Sequence, residues 1–123
     1  MQAVRFIGDR VLELANVPDP TPDLGDVIIE IKASGMCGSD LHSYRAPAGS
    51  RAITTAGHEP CGVVAEVGPG VTERQARVGQ RVMDHHYSGC GACIHCVDGW
   101  TQMCEDGSIV YGNTGDGAHA KYL

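Results

Sequence analysis

Four cysteines lie close together in the run CGACIHCVDGWTQMC, with the spacing C-x2-C-x2-C-x7-C. Short C-x2-C steps allow two thiolates to turn onto one ion, and four thiolates complete a tetrahedral zinc sphere with no open position. A closed site of this kind is structural. The pattern therefore predicts a lobe, at about residues 84–110, that is held by zinc instead of a large core. The predicted ligands are Cys90, Cys93, Cys96 and Cys104.

Other uses of these four cysteines stay open. They can pair as two disulfides or lie buried as free thiols, which is the less frequent outcome for this spacing in a reducing compartment. Iron–sulfur ligation is a stronger alternative, because C-x2-C-x2-C also opens the bacterial ferredoxin pattern, which continues with x3-C-P. Here the fourth cysteine follows after seven residues and Glu105 comes next, so zinc is favoured.

Charge and length restrict the function classes. The chain has 123 residues, a formal net charge of -6 and a pI of about 5.3, which fits one acidic domain and argues against nucleic acid or an anionic membrane as partner. No run of 18 apolar residues occurs, and the N-terminal MQAVRFIGDR is too charged for a signal peptide. We expect a cytoplasmic protein.

Short strands and glycine-rich turns dominate the pattern, with 17 glycines but only one Phe and one Trp. This predicts a mainly β fold, a small, partly open barrel with short helices. The proline-rich stretch 17–22 predicts an extended connector, and the one plausible helix is Ser39–Tyr44, capped by Ser39 or Asp40. The predicted strands are Ala3–Ile7, Val11–Leu14, Val27–Ala33, Gly62–Val67, Arg81–Met83 and, as a possible last one, Ala118–Leu123.

A second group of candidate ligands consists of Cys37, His58 and Glu59. One thiolate and one imidazole make up most of a catalytic zinc sphere built from two cysteines and one histidine, with water in the open position. Both residues lie next to glycines that allow close backbone approach. A buried thiol and a hydrogen-bonded histidine explain the same residues about equally well from spacing alone.

Polar residues near Cys37 suggest a proton path. Ser39 and His42 stand three apart, so they share one side of a helical turn, and a hydroxyl there can pass its proton to an imidazole and then to water. Asp40 is placed to orient a metal-bound histidine. The plainer interpretation makes Ser39 and Asp40 helix caps and His42 a surface residue.

The remaining cysteine and histidines carry less information. Cys61 is expected to be a small buried hydrophobe. His85 and His86 are interpreted as ordinary loop residues, and His95 as an exposed residue between the ligands of the four-cysteine lobe.

Taken together, these residues resemble the N-terminal catalytic domain of the zinc-dependent medium-chain alcohol and polyol dehydrogenases, which has a GroES-like barrel. The resemblance covers almost the whole chain in the family's order. It rests on the connector VPDPTP, on AxGxCGSDLH at 33–42, on GHEPxGxVxxVGPGV at 57–71, on VGQRV at 78–82, on the four-cysteine lobe and on the final DGAHAKYL.

The resemblance implies a catalytic zinc held by Cys37 and His58, with Glu59 as a nearby carboxylate that sometimes exchanges onto the metal. It implies that Ser39 touches the substrate oxygen. By the same match His42 and Asp40 are the outer proton relay and the partner that orients the metal-bound histidine. The implied reaction is oxidation of an alcohol or polyol, with a hydride passed to a nicotinamide.

The family's Rossmann domain is not visible in this sequence, because no GxGxxG occurs and no nicotinamide-binding residues can be named. We therefore expect residues 1–123 to form an incomplete GroES-like catalytic domain that is inactive alone, with NAD or NADP used only in a full-length protein. Self-association through the uncovered surface is a weaker expectation. A stand-alone structural zinc module and, less favoured, an iron–sulfur electron carrier are the alternatives.

Overall fold

The computed structural model describes all 123 residues and has seven strands and two short helices. The mainly β prediction is confirmed. The strands are β1 Gln2–Gly8, β2 Val11–Asn16, β3 Val27–Gly35, β4 Glu59–Val67, β5 Arg81–Met83, β6 Tyr87–Ser88 and β7 Ile109–Val110. The helices are α1 Gly38–Arg45 and α2 Ile94–Val97, and a single 3-10 turn covers Thr101–Met103.

The predicted strands Ala3–Ile7 and Val11–Leu14 are present and pair as an N-terminal hairpin of β1 and β2. Asp9 and Arg10 form its turn with φ angles of 49° and 63°. Two successive left-handed residues are typical of the tight turn whose twist matches that of the flanking strands. Residues 17–22 then form the expected extended connector outside any strand.

The central sheet has the antiparallel order β3-β4-β5. β3 and β4 are rich in β-branched residues, and the side chains of Ile28, Ile29 and Val64 are buried. β3 and β4 approach so closely at Gly62 that a Cβ there would lie 2.2 Å from the carbonyl oxygen of Glu30. Glycine is therefore required at this position of β4.

The C-terminal segment 118–123 joins the hairpin to the central sheet without forming a continuous strand. On the hairpin side, the N–H of Val4 in β1 donates to the carbonyl of His119 at 2.8 Å. On the side of the central sheet, Leu123 exchanges two backbone hydrogen bonds with Ile29 of β3, at 2.7 and 3.0 Å. The predicted strand Ala118–Leu123 is thus present only as isolated bridges, and the barrel remains partly open.

The four-cysteine lobe contains β6, α2, the 3-10 turn and β7. No apolar side chain between 85 and 110 is buried, so the lobe has no apolar core of its own. A segment without a core needs another source of stability, which a metal can supply.

Two expectations about side-chain exposure are wrong. Cys61 is exposed, because Pro60, Gly62 and Val64 occupy the inward positions of β4 and place Cys61 on its outer face. His95 is half-buried rather than exposed, and its carbonyl accepts a hydrogen bond from the N–H of Trp100 at 2.7 Å, where the chain folds back after α2.

No helix in this structure has the length and apolar composition needed to cross a membrane. Several apolar side chains of the hairpin and of the β3–α1 connection remain exposed along a groove, among them Leu12, Leu14 and Met36. Self-association through this groove stays a prediction.

The small core makes Val64 the most sensitive apolar position. We expect Val64→Ala to lower the free energy of unfolding by about 2 kcal/mol, because it removes two buried methyl groups and leaves a cavity. Val78, which is 63% exposed, is the matched control, and Val78→Ala should change stability little. Urea unfolding of the two variants measures the difference; equal losses would contradict the core assignment.

Candidate functional site

The register of β3 and β4 brings Cys37 and His58 together. Gly35 and Glu59 form the terminal pair of this antiparallel ladder. Cys37 lies two residues beyond that pair and His58 one residue before it, so both leave the same end of the sheet. The Sγ of Cys37 lies 3.2 Å from Nε2 of His58.

Cys37 is also the N-cap of α1, which corrects the expectation that Ser39 or Asp40 caps the helix. Its Sγ accepts a hydrogen bond from the N–H of Ser39 at 3.3 Å. Asp40 completes a capping box, because its Oδ2 accepts from the N–H of Cys37 at 2.8 Å. The expected residues thus take part in the cap, but the capping position itself belongs to the cysteine.

Asp40 links this cap to His58. The carboxylate is 4% exposed, and its second oxygen, Oδ1, lies 3.4 Å from Nδ1 of His58. A proton on Nδ1 directed at Asp40 leaves the lone pair of Nε2 facing Cys37, the tautomer that a metal-binding histidine needs. Because both carboxylate oxygens are engaged, Asp40 is better suited to orient His58 than to bind an ion itself.

Ser39 lies between the two candidate ligands. Its Oγ is 3.0 Å from Sγ of Cys37 and 3.2 Å from Nε2 of His58. The Ser39 hydroxyl, the Ser39 backbone N–H and His58 together lower the pKa of the Cys37 thiol. These contacts favour the thiolate, which is the form that binds metals.

The donor atoms fit a zinc ion. A zinc–sulfur bond of about 2.3 Å and a zinc–nitrogen bond of about 2.0–2.1 Å can share one ion when their donors are about 3.5 Å apart. The observed 3.2 Å is close to this value. Candidate ligand atoms of Cys37, Asp40 and His58 all lie within 4.8 Å of one another.

Glu59 and His42 lie apart from this cluster. Glu59 is exposed, and its side chain passes so close to Gly35 that a Cβ there would meet Oε2 at 2.3 Å. His42 is exposed in the last turn of α1, and its imidazole forms no hydrogen bond with Ser39. Their roles as exchanging carboxylate and proton relay stay predictions.

Two histidines near the cluster were not predicted to belong to it, since His86 was interpreted as an ordinary loop residue and His119 was not singled out. The ring of His86 packs edge-on against that of His58, with centroids 5.4 Å apart, and burial lowers the pKa of His86. His119 is half-buried with its Nε2 unpartnered, and burial lowers its pKa as well. Neither stands in a spacing pattern with Cys37 or His58, so no local signal marks them.

The four cysteines of the lobe form a second cluster. Their sulfur atoms all lie within 4.8 Å of one another, and Sγ of Cys90 and Cys96 are 4.0 Å apart. Two thiolates on a tetrahedral zinc are about 3.8 Å apart, so the arrangement fits one zinc ion. A cluster of several irons and sulfides requires a wider span. A Cβ at Gly89 would lie 2.5 Å from Sγ of Cys96, so glycine is needed beside the site.

Hydrogen bonds from backbone N–H groups contribute to the different pKa values of the thiols in the lobe. Hydrogen bonds from the N–H groups of Glu105 and Cys96 lower the pKa of Cys93 to about 6. For Cys96, a hydrogen bond from the N–H of Gly91 lowers the pKa, but burial and the neighbouring thiols outweigh it and raise the pKa to about 12. The backbone hydrogen bonds therefore favour the thiolate form of Cys93.

The sequence matches the alcohol dehydrogenase GroES-like domain over residues 23–123. The chain belongs to this family. It is 38% identical to an uncharacterized zinc-type alcohol dehydrogenase-like protein of Escherichia coli, YphC, over 100% of the chain and 37% of that protein. It is 41% identical to a sorbitol dehydrogenase of Halalkalibacterium halodurans, over 86% of the chain and 30% of the relative.

Solved structures of such proteins share this fold. The galactitol-1-phosphate dehydrogenase of Escherichia coli superimposes with a TM-score of 0.84 at 29% identity, over 100% of the chain and 35% of that structure. An alcohol dehydrogenase of Escherichia coli CFT073 complexed with NADH gives a TM-score of 0.82 at 35% identity, over 100% of the chain and 35% of that structure. The chain spans about a third of the length of the relatives it matches.

Substitution of one cysteine tests whether the lobe binds zinc. We expect Cys104→Ser to abolish tight zinc binding by the lobe and to cause marked loss of its order, because the lobe has no buried apolar side chain to hold it. The exposed Cys61 lies outside both clusters, so Cys61→Ser is the control and should keep the zinc content. Elemental analysis and the melting temperature report the outcome; a zinc content that Cys104→Ser leaves unchanged, or iron and sulfide in the parent protein, would contradict the assignment.

The lowered pKa of Cys37 predicts a pH dependence. In the folded protein, the Cys37 thiol should stay ionised and be alkylated by iodoacetamide at pH values where the same peptide is unreactive after unfolding. The rate of alkylation should fall only as the pH drops through the lowered pKa. Ser39→Ala should move this midpoint upward, because the hydroxyl is the largest cause of the shift. Mass spectrometry of the Cys37 peptide, after a weak chelator has removed loosely held metal, follows the rate. Coincident profiles for folded and unfolded protein would disprove the claim.

Proposed function

We propose that the cluster around Cys37 and His58 holds the zinc and the alcohol in a nicotinamide-linked alcohol or polyol dehydrogenase. The observation that carries the proposal is the cluster of Cys37, Ser39, Asp40 and His58, in which thiolate, hydroxyl and oriented imidazole converge within hydrogen-bond distances. A zinc ion held by Cys37 and His58 would supply Lewis-acid polarisation of a substrate hydroxyl.

Each residue of the cluster has a distinct role in this proposal. The Cys37 thiolate and Nε2 of His58 bind the metal, and Asp40 keeps Nδ1 of His58 protonated and the ring in place. Ser39 lies at hydrogen-bond distance from both donors, so its Oγ is placed to accept the proton of an incoming substrate hydroxyl. His42, exposed in the last turn of α1, would take up that proton through intervening water, because its ring makes no hydrogen bond with Ser39.

The relatives support the choice of substrate and hydride acceptor. A sorbitol dehydrogenase and a galactitol-1-phosphate dehydrogenase are among them, and one solved relative is complexed with NADH while another is bound to NADP. Alcohols and polyols are accordingly the proposed substrates, and NAD or NADP is the proposed acceptor. The nicotinamide ring supplies the hydride chemistry, and the protein supplies position.

The four cysteines of the lobe favour a second function, which is structural. Its four sulfur atoms leave no open coordination position on a tetrahedral ion, so the lobe cannot bind substrate through its metal. We propose that this zinc is purely structural. A chain in which only the lobe bound metal would be a structural zinc module, and the next experiment separates the two functions.

Cobalt(II) in place of zinc makes both sites visible by absorption. We expect two equivalents to bind, with the bands of one equivalent lost in Cys37→Ser and those of the other lost in Cys104→Ser. Only the Cys37-dependent bands should shift when an alcohol is added, because only that site has an open position. Cys61→Ser should behave like the parent. A single equivalent, or Cys37-dependent bands that ignore every alcohol, would favour the structural module.

A further inference from the structure

His86 lies in the connection between β5 and β6, beside His58 of the candidate catalytic zinc site. Its ring is half-buried and packs against His58 at a centroid distance of 5.4 Å with an interplanar angle of 61°. The carbonyl of His86 accepts a hydrogen bond from the N–H of Tyr111 at 2.9 Å. The residue is thus anchored through its backbone and by its contact with His58.

The imidazole of His86 has no hydrogen-bond partner in the protein. Its other ring neighbours are Tyr87, at 4.4 Å, and His85, at 5.4 Å, and both contacts are tilted or edge-on packing without a hydrogen bond. A neutral imidazole offers one donor and one acceptor, and a protonated one offers two donors. Both forms can therefore bond a hydroxyl group that enters beside His58.

We propose that His86 determines specificity by hydrogen-bonding a second oxygen of the substrate, on the carbon next to the reacting hydroxyl. The inference rests on the proposed function, because it places the reacting hydroxyl at the Cys37–His58 cluster. Adjacent hydroxyls of a polyol are about one hydrogen-bond length apart, so the second oxygen would lie near the ring that packs against His58. Vicinal diols and polyols are then preferred to monohydric alcohols.

The preference for diols arises because only a diol provides a second hydroxyl group that can form a hydrogen bond with His86. A site built to hydrogen-bond a hydroxyl discriminates against an analogue without it, because the polar group of the protein is left unpaired. His86 is half-buried and not fully enclosed, so we expect a preference of about tenfold in the dissociation constant, the size of one hydrogen bond.

The neighbouring His85 provides a matched control. It is exposed, it contacts His86 and Tyr87, and its ring makes no contact with that of His58. His85→Phe therefore makes the same chemical change one residue away from the candidate site. His86→Phe keeps the aromatic contact with His58 but removes both nitrogens, and His86→Gln keeps a hydrogen-bonding group.

The test uses the 123-residue chain loaded with cobalt(II) and follows the Cys37-dependent bands during titration with propane-1,2-diol and with propan-2-ol. The parent and His85→Phe should bind the diol about tenfold more tightly, His86→Phe should bind both equally, and His86→Gln should recover part of the preference. The cobalt bands themselves should persist in every variant, which shows that the sites still form.

The outcomes separate this inference from the proposed function. Equal affinity for diol and monohydric alcohol in the parent, or a diol preference that survives in His86→Phe, overturns the role of His86 while leaving the zinc–alcohol proposal intact. Bands in the parent that respond to neither compound overturn both.

Discussion

The antiparallel pairing of β3 with β4 is the constraint on which the rest of the molecule depends. Its last pair, Gly35 with Glu59, sets the positions of Cys37 and His58, which lie on separate chain segments. Side chains alternate between the two faces of a strand, so a slip of one residue would turn the apolar set of β4 outward and separate the two donors. The same register buries Val64 in the core. Core formation and site assembly are thus consequences of one pairing.

Asp40 connects the local structure of α1 with the chemistry of the site. One oxygen completes the capping box and the other faces His58. A buried carboxylate is stable only when its oxygens are satisfied, and here the partners are the N–H of Cys37 and the imidazole. The residue that completes the capping box therefore also contacts the imidazole of His58, so that helix stability and the orientation of this histidine are coupled at Asp40.

The lobe and the barrel are stabilised in different ways. The barrel buries a small set of apolar side chains, including Ile28, Ile29 and Val64. The lobe buries none and brings four thiols within 4.8 Å instead. Structural zinc sites contribute about 10–16 kcal/mol in peptides, as much as the whole stability of a typical domain of about 5–15 kcal/mol. A zinc ion bound by these four thiols would therefore supply enough free energy to order a segment with so little apolar contact.

Sequence by itself determined the elements whose signals are local. Short apolar runs bounded by turn residues predicted the strands of the hairpin, β3 and β5, because glycine and proline interrupt the ladder between such runs. Spacing predicted that the four lobe cysteines would share one site, since C-x2-C steps bring thiols together within a turn. The resemblance named Cys37 and His58 as partners, and the structure places them 3.2 Å apart.

Only the tertiary structure decided what depends on long-range register. Residue type indicated that Cys61 would be buried, but the phase of β4 exposes it. Preference for serine and aspartate at helix starts pointed to Ser39 or Asp40, yet the path of the chain after β3 makes Cys37 the cap. His86 meets His58 because the β4–β5 pairing returns the chain to the site. Such contacts join residues far apart in the chain, and the local periodicity of a sequence carries no information about them.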